Sequence, residues 1–202
     1  MKKLLIVFAH PDDEMLVGGT IARYKKMGCQ VDLVFATSFG YSEGKLSTLT
    51  PGTLEDPIYK AIERELPNIV ISFDKTGINN DPDHIKICYA TTYAFQKYAS
   101  WLEGLQKKFR IYGSYEEQWF RRLEVMITKK EEPKLYYVCI PANTVARSVG
   151  RGELPKESFD KPWRGTPDDE ITTIINEEYF ILRREGTKEY FMGKNDSVGD
   201  RL

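Results

Sequence analysis

Cysteine and histidine are both scarce in this sequence, and the shortage limits the chemistry it can carry. Its three cysteines, Cys29, Cys88 and Cys139, lie far apart without a CxxC pair, so a disulfide framework is not expected. We interpret them as reduced thiols of a cytoplasmic protein. The chain has only two histidines, His10 and His84.

Long runs of basic residues and long runs of apolar residues are missing as well. Lys and Arg number 29 against 30 for Asp and Glu, and without a long basic run a nucleic-acid partner is not expected. No segment approaches the roughly 18 to 20 apolar residues that cross a membrane. The apolar start at 4–9 is too short for a signal peptide and is interpreted as a buried strand. The glycine patterns of dinucleotide and P-loop sites are also absent, so Gly18 and Gly19 are interpreted as close packing or room for substrate.

The first forty residues have the pattern of a βαβ unit. A strand at 4–9, a helix at 15–27 and a strand at 31–36 predict parallel pairing in an open α/β sheet. Farther along we predict helices at 58–66 and from Asp83 onward, buried strands at 68–73 and 135–140, a capping box that opens a helix at 114–117, an irregular stretch at 148–164, and β-favouring runs at 171–175 and 179–182. One domain is expected over 1–192, followed by a flexible tail over 193–202.

Both histidines lie beside carboxylates in loops that follow predicted strands. His10 begins the string His-Pro-Asp-Asp-Glu at 10–14, and His84 ends the string Asp-Pro-Asp-His at 81–84. Loops at the carboxyl ends of neighbouring parallel strands face the same crevice. The two histidines are therefore predicted to converge.

Metal chemistry explains why these residue types occur together. A catalytic zinc takes about three protein ligands and leaves a position for water, and His10, Asp13 and His84 would supply two nitrogens and one oxygen. Zinc lowers the pKa of bound water to about 7, and Asp12, next to a ligand, is the natural general base. Iron(II) would suit the same ligand set.

The string Ala-His-Pro-Asp-Asp-Glu at 9–14, followed by Gly18 and Gly19, resembles the first signature of the PIG-L/LmbE-type N-acetylglucosaminyl deacetylase family. Residues 81–84 resemble its second signature, His-Pro-Asp-His. The resemblance implies a Rossmann-like three-layer sandwich with a mostly parallel sheet. It also implies a zinc-dependent hydrolase that removes an acetyl or other acyl group from an N-acetylglucosamine-type or related small N-acyl substrate.

The resemblance further implies roles for single residues. Zinc would be held by His10, Asp13 and His84, Asp12 would be the general base, and Asp83 would be a carboxylate that orients a ligand. The substrate would be a small N-acyl sugar or a glycoconjugate. Whether the chain forms a homo-oligomer stays open.

Asp81 departs from the family pattern, which has a histidine there that stabilises the oxyanion and protonates the amine. An ionised carboxylate cannot donate a hydrogen bond, and losing one such donor costs about 100- to 1000-fold in rate. Three interpretations of Asp81 stay open: a protonated group near the metal, an extra ligand, or a mark of weakened catalysis.

Two stretches are shorter than the family pattern, one at 36–40 and one near Asn176, where the family has a further histidine. Either this is a trimmed family member or the sequence is joined across missing stretches. A join would leave consecutive Cα atoms near 37–40 farther apart than about 3.8 Å.

Several other residues have an ordinary structural interpretation or a weaker functional one. Glu14 and the second Pro-Asp-Asp-Glu string at 167–170 are interpreted as structural, with Thr166 as a helix cap, and Cys88 as a core residue. Asn80 and Arg147 are candidates for contacts with substrate hydroxyls.

Two rival functions remain. A metal-dependent phosphoesterase would need two metals about 3.5 to 4 Å apart, and its ligands would come from Asp12, Asp13, Asp74, Asp81 and His84. A sugar-binding family descendant with little or no turnover is the second rival.

Overall fold

Four strands form the parallel part of the sheet. The computed structural model describes residues 2–112, 127, 130–154 and 165–190. Its strands β1 (Lys3–Phe8), β2 (Gln30–Phe35), β3 (Ile69–Phe73) and β4 (Lys134–Cys139) pair in parallel in the order β2-β1-β3-β4. Strands β1, β3 and β4 are buried along almost their whole length, as expected for parallel strands covered on both faces.

Three antiparallel strands complete the sheet. Strand β6 (Glu178–Glu185) lies beside β4, and β5 (Thr173–Ile175) and β7 (Lys188–Glu189) both pair with β6. The predicted α/β fold is confirmed. Hydrophobic pattern alone had located β5 and β6 without giving their direction.

Five helices accompany the strands in the described ranges: α1 (Gly18–Lys26), α2 (Glu55–Glu65), the single turn α3 (Gly77–Asn80), the long α4 (Pro82–Tyr112) and α5 (Ala142–Gly150). Short 3-10 turns occur at Asp13–Val17, Ala36–Phe39, Leu46–Thr48 and Asp168–Glu170. Residues 148–150 belong to α5, so the prediction that the irregular stretch begins at Ser148 was wrong. The predicted capping box at 114–117 and the predicted tail lie outside the described residues.

The directions of the connections between strands define the switch point of the sheet, which is the place where the strand order reverses. The chain moves one way from β1 to β2 and the opposite way from β2, past β1, to β3. Because such connections are right-handed, α1 and α2 lie on opposite faces. Helix α2 packs against α4, and both contact β1. The carboxyl ends of β1 and β3 therefore border the crevice where ligands bind in sheets of this kind.

Several smaller expectations can be compared with the structure. Cys88 and Cys139 are buried and all three cysteines are free. Residues 36–39 form an unbroken 3-10 turn that the N–H of Gly40 closes on the carbonyl of Thr37 at 3.1 Å. Among the helices that the structure describes, none is both long and apolar enough to span a membrane.

Candidate metal centre

Three of the predicted site residues meet at the switch point. His10 follows β1 after one intervening residue, Asp13 begins the next 3-10 turn, and His84 lies in the first turn of α4. Each offers one ligand atom, and these atoms all lie within 4.8 Å of one another. The structure thus brings the two histidines and the carboxylate together, while metal binding by them stays a prediction.

His10 lies between two carboxylates. Its Nδ1 is 3.7 Å from Oδ2 of Asp13, and its Nε2 is 3.4 Å from Oδ2 of Asp83. In the described part of the chain, Nε2 of His10 and Oδ2 of Asp83 are buried atoms without a hydrogen-bond partner. A ligating histidine usually turns its second nitrogen toward an oxygen, so this pair leaves Nδ1 of His10 as the nitrogen available to a cation.

The ring of His84 is fixed from two sides. Its Nδ1 is 3.2 Å from the carbonyl oxygen of Gly77, and the ring stacks on Phe73 with centroids 4.1 Å apart and planes 5° from parallel. With the proton on Nδ1 donated to that carbonyl, the lone pair of Nε2 faces Oδ1 of Asp13 at 3.3 Å. The tautomer follows from the hydrogen bond and makes Nε2 available to a cation.

Gly77 is required at its position in the loop before α4. Its φ is 60°, in the left-handed region, and an added Cβ would lie 2.9 Å from Cγ1 of Ile85 and 3.0 Å from Cβ of His84. Any side chain would displace the carbonyl that fixes His84. Gly77 was not among the predicted site residues, so this role was missed.

Asp74 shapes the same loop from the protein interior. Its side chain is buried, and Oδ1 accepts the N–H groups of Thr76 at 3.1 Å and Ile78 at 3.3 Å. Oδ2 accepts the hydroxyl of Thr166 at 2.7 Å. The prediction that Thr166 caps a helical turn was therefore wrong, because its hydroxyl joins this loop to the segment that precedes β5.

Asp83 is buried and held in its ionised form by the loop before α2. Desolvation raises the pKa of Asp83, but backbone N–H groups at 44, 46 and 47 and the ring of His10 outweigh it, so the pKa lies below its ordinary value. The N–H of Ser47 donates to Oδ1 at 2.9 Å. An ionised Asp83 can accept the proton on Nε2 of His10, which is consistent with the orienting role that the resemblance implied.

Asp12 is an exposed residue of the first motif, between His10 and Asp13 in the chain. Its φ is 104°, a left-handed backbone that is rare for a non-glycine residue. Its N–H donates to Oε2 of Glu14 at 2.8 Å, which gives Glu14 the structural contact expected of it. Strained backbone of this kind occurs often at active sites, and Asp12 is exposed next to Asp13 in the chain.

Asp81 caps helix α4. Its Oδ1 accepts the N–H groups of Asp83 at 2.8 Å and His84 at 3.3 Å, with Pro82 in the first helical position. This is a common way to begin a helix. A catalytic role for Asp81 stays a prediction, and Oδ1 is already committed to the helix.

The two candidate substrate contacts lie in different places. Asn80, with φ of 63°, immediately precedes the cap of α4. Arg147 is exposed on α5 and lines a cavity of about 890 Å³ between that helix and β5. None of His10, Asp13 and His84 lines this cavity, so Arg147 does not share it with the cluster.

The protonation of His84 gives a first testable prediction. Burial lowers the pKa of His84, but the hydrogen bond and charge of Asp13 and the charge of Asp81 outweigh it, so the pKa is raised. In the metal-free fold the resulting stabilisation is complete below the unfolded pKa and is lost as pH rises through the folded pKa. Because a metal must displace this proton, we expect its dissociation constant to rise about tenfold per pH unit below the raised pKa.

Cobalt(II) titrations in a weakly coordinating buffer, between about pH 8 and pH 6 around the ordinary histidine pKa, would measure this dependence. An affinity that does not change over that interval would contradict it.

The fold and the cluster define an α/β protein with a His–Asp–His set of metal-ligand types at the switch point of its sheet. The model of the family described as "PIG-L: GlcNAc-PI de-N-acetylase" matches residues 5–49. This range contains the first motif but not the second. These matches and those of the relatives below support the resemblance to the PIG-L/LmbE-type deacetylase family that the two motifs carry.

Two relatives are named 1D-myo-inositol 2-acetamido-2-deoxy-alpha-D-glucopyranoside deacetylase. The protein from Rhodococcus jostii (strain RHA1) is 25% identical, with 87% of this chain and 75% of the relative aligned. The protein from Mycobacteroides abscessus is 29% identical over 50% of this chain and 57% of the relative. The first alignment covers 241 positions, more than the 202 residues of this chain, so that relative has segments that this chain lacks.

Among solved structures, the conserved protein TT1542 from Thermus thermophilus aligns with a TM-score of 0.41 and 22% identity. The alignment covers 49% of this chain and 57% of that protein.

Proposed function

We propose that this chain is a metal-dependent amide hydrolase that removes an acetyl or other acyl group from an amino sugar of the N-acetylglucosamine type. The observation that carries the proposal is the convergence of His10, Asp13 and His84 within 4.8 Å. In each histidine the second ring nitrogen faces an oxygen, on Asp83 or on Gly77. The names of the relatives support the choice of an N-acetylated amino sugar as substrate.

The donor set fits a zinc or iron(II) ion. Two imidazole nitrogens and one carboxylate oxygen match the three protein ligands of a catalytic site that keeps a position for water. His10 would bind through Nδ1, His84 through Nε2, and Asp13 through its carboxylate. When bound, such an ion acidifies water and polarises a carbonyl group.

The exposed carboxylate of Asp12 is the proposed general base. It would accept a proton from the attacking water and, once protonated, return that proton to the amine nitrogen as the amide C–N bond breaks. Asp83 would keep the ring of His10 in one tautomer and orientation. A contribution of Asp81 to proton transfer would fall to Oδ2, because Oδ1 caps α4.

The geometry favours the deacetylase over a two-metal phosphoesterase. That rival required Asp74 and Asp81 as ligands together with Asp12, Asp13 and His84. In the structure both oxygens of Asp74 accept hydrogen bonds within the protein interior, and Asp81 caps a helix. Neither belongs to the cluster that the described residues form.

The test combines metal content with acetate release from a panel of N-acetylglucosamine conjugates. We expect one zinc or iron per chain and acetate release that stops after chelation and returns when metal is added back. Two metals per chain would favour the phosphoesterase. Bound metal without acetate release would favour the sugar-binding descendant, and protein purified without chelator that holds no metal would contradict the proposal.

A further inference from the structure

We infer that Glu178 is a positioning residue for the first motif, which it holds from the start of β6. Its carboxylate accepts the N–H of Gly19 through Oε1 at 2.6 Å and the N–H of Thr20 through Oε2 at 2.8 Å. These donors belong to the first turn of α1, whose own N-cap residue, Val17, makes no side-chain capping hydrogen bond. A negative group at this end also interacts favourably with the helix dipole.

The hairpin that carries Glu178 fits closely against α1. An added Cβ on Gly19 would lie 3.0 Å from Oε1 of Glu178 and 3.4 Å from Cβ of Asn176. The amide Nδ2 of Asn176 also donates to the carbonyl of Gly19 at 3.4 Å. Gly19 therefore provides room for a protein side chain, which is one form of the close packing expected for the glycine pair.

The turn of this hairpin and the strand that follows it have regular geometry. Asn176 and Glu177 both have positive φ, 48° and 66°, as the two central residues of a tight type I′ hairpin turn do. Glu178 is the first residue of β6, which pairs with β4 in the interior of the sheet. The position of the carboxylate is therefore set by the sheet.

The contact reaches the proposed ligands through a short stretch of backbone. The 3-10 turn Asp13–Val17 runs directly into α1. On its other side, the turn is held by the N–H of His10, which donates to Oδ2 of Asp13 at 2.7 Å. Two glycines at 18 and 19 would weaken the start of α1 without an external acceptor. Loss of the Glu178 carboxylate should thus loosen the segment that orients Asp12 and Asp13.

The inference rests on the proposed metal site for its functional consequence, but the contact itself can be tested without metal or substrate. In the metal-free protein, Glu178→Ala should speed hydrogen exchange of the backbone amides at 12–20. In cobalt-loaded protein it should raise the metal dissociation constant about 10- to 100-fold, as the loss of a residue that supports the metal ligands does. The visible cobalt spectrum should change as well. Glu178→Gln keeps one acceptor oxygen and should recover part of both effects.

Glu177→Gly is the matched control. It removes the same charge one position away, from an exposed residue whose positive φ suits glycine, and should leave the exchange rates and the cobalt affinity unchanged. Unchanged exchange at 12–20 in both Glu178 variants would overturn the inference, as would an unchanged cobalt affinity and spectrum. If the deacetylase proposal alone is wrong, acetate release is absent while the exchange and cobalt effects of Glu178 remain.

Discussion

Asp12→Asn should lower kcat for acetate release about 100- to 10,000-fold, the usual contribution of a positioned general base. The amide cannot take the proton from water, yet it has almost the same size and can occupy the same left-handed backbone. Because asparagine tolerates positive φ, the turn at 12–14 should be kept. Metal content should therefore remain one per chain, and KM should change far less than kcat.

The second Pro-Asp-Asp-Glu string supplies the control for this experiment. Asp169 is exposed in that string, which has no histidine and lies outside the cluster, and Asp169→Asn should retain wild-type turnover. A kcat in Asp12→Asn within about threefold of wild type, well short of the general-base contribution, would assign proton transfer to another group. Loss of metal together with activity would mean that Asp12 is a ligand.

The first half of the site could be predicted because its signals are local. His10 and Asp13 are three residues apart directly after an apolar run, and chain spacing places them side by side. The second half needed one further rule, that the carboxyl ends of parallel strands meet in the same crevice. That rule was enough to predict that His84 lies close to His10 and Asp13.

The sequence supports two roles for Asp81, one from the family motif and one from helix capping. Compared with the family pattern, Asp81 stands in place of a catalytic donor. An aspartate followed by proline is also an ordinary start for a helix, and the structure uses Oδ1 of Asp81 in that way. The capping signal and the second motif overlap at this residue.

Other features depend on contacts that no local pattern reveals. Glu178 meets Gly19 across a separation of 159 residues, and Asp74 meets Thr166 across 92. Hydrophobic alternation locates β6 but does not show that it runs against β4, and this direction is what brings Glu178 to the edge where the first motif lies. Such contacts follow from the topology of the complete sheet.

Asp13→Asn should have the largest effect on metal binding because Asp13 lies between both histidines. Its Oδ1 faces Nε2 of His84 at 3.3 Å and its Oδ2 faces Nδ1 of His10 at 3.7 Å. Asparagine can keep the hydrogen bond from the N–H of His10, so the fold should survive while the anionic ligand is lost. We expect the metal affinity to fall by more than about 100-fold, which is the largest loss usual when a residue that hydrogen-bonds to a metal ligand is replaced. Acetate release should become undetectable.

The control for this experiment is Asp83→Asn. Asp83 lies beside His10 rather than between the two rings, so its replacement should weaken metal binding only about 10- to 100-fold. Removing the charge of Asp13 should also lower the pKa of His84 in the metal-free protein, since that charge helps to raise it. Proton NMR titration of the two histidines should show this lower pKa of His84 in Asp13→Asn but not in Asp83→Asn, because Asp83→Asn leaves the Asp13–His84 pair intact. Equal losses of affinity in the two variants would contradict the assignment of Asp13 as the ligand and Asp83 as its support.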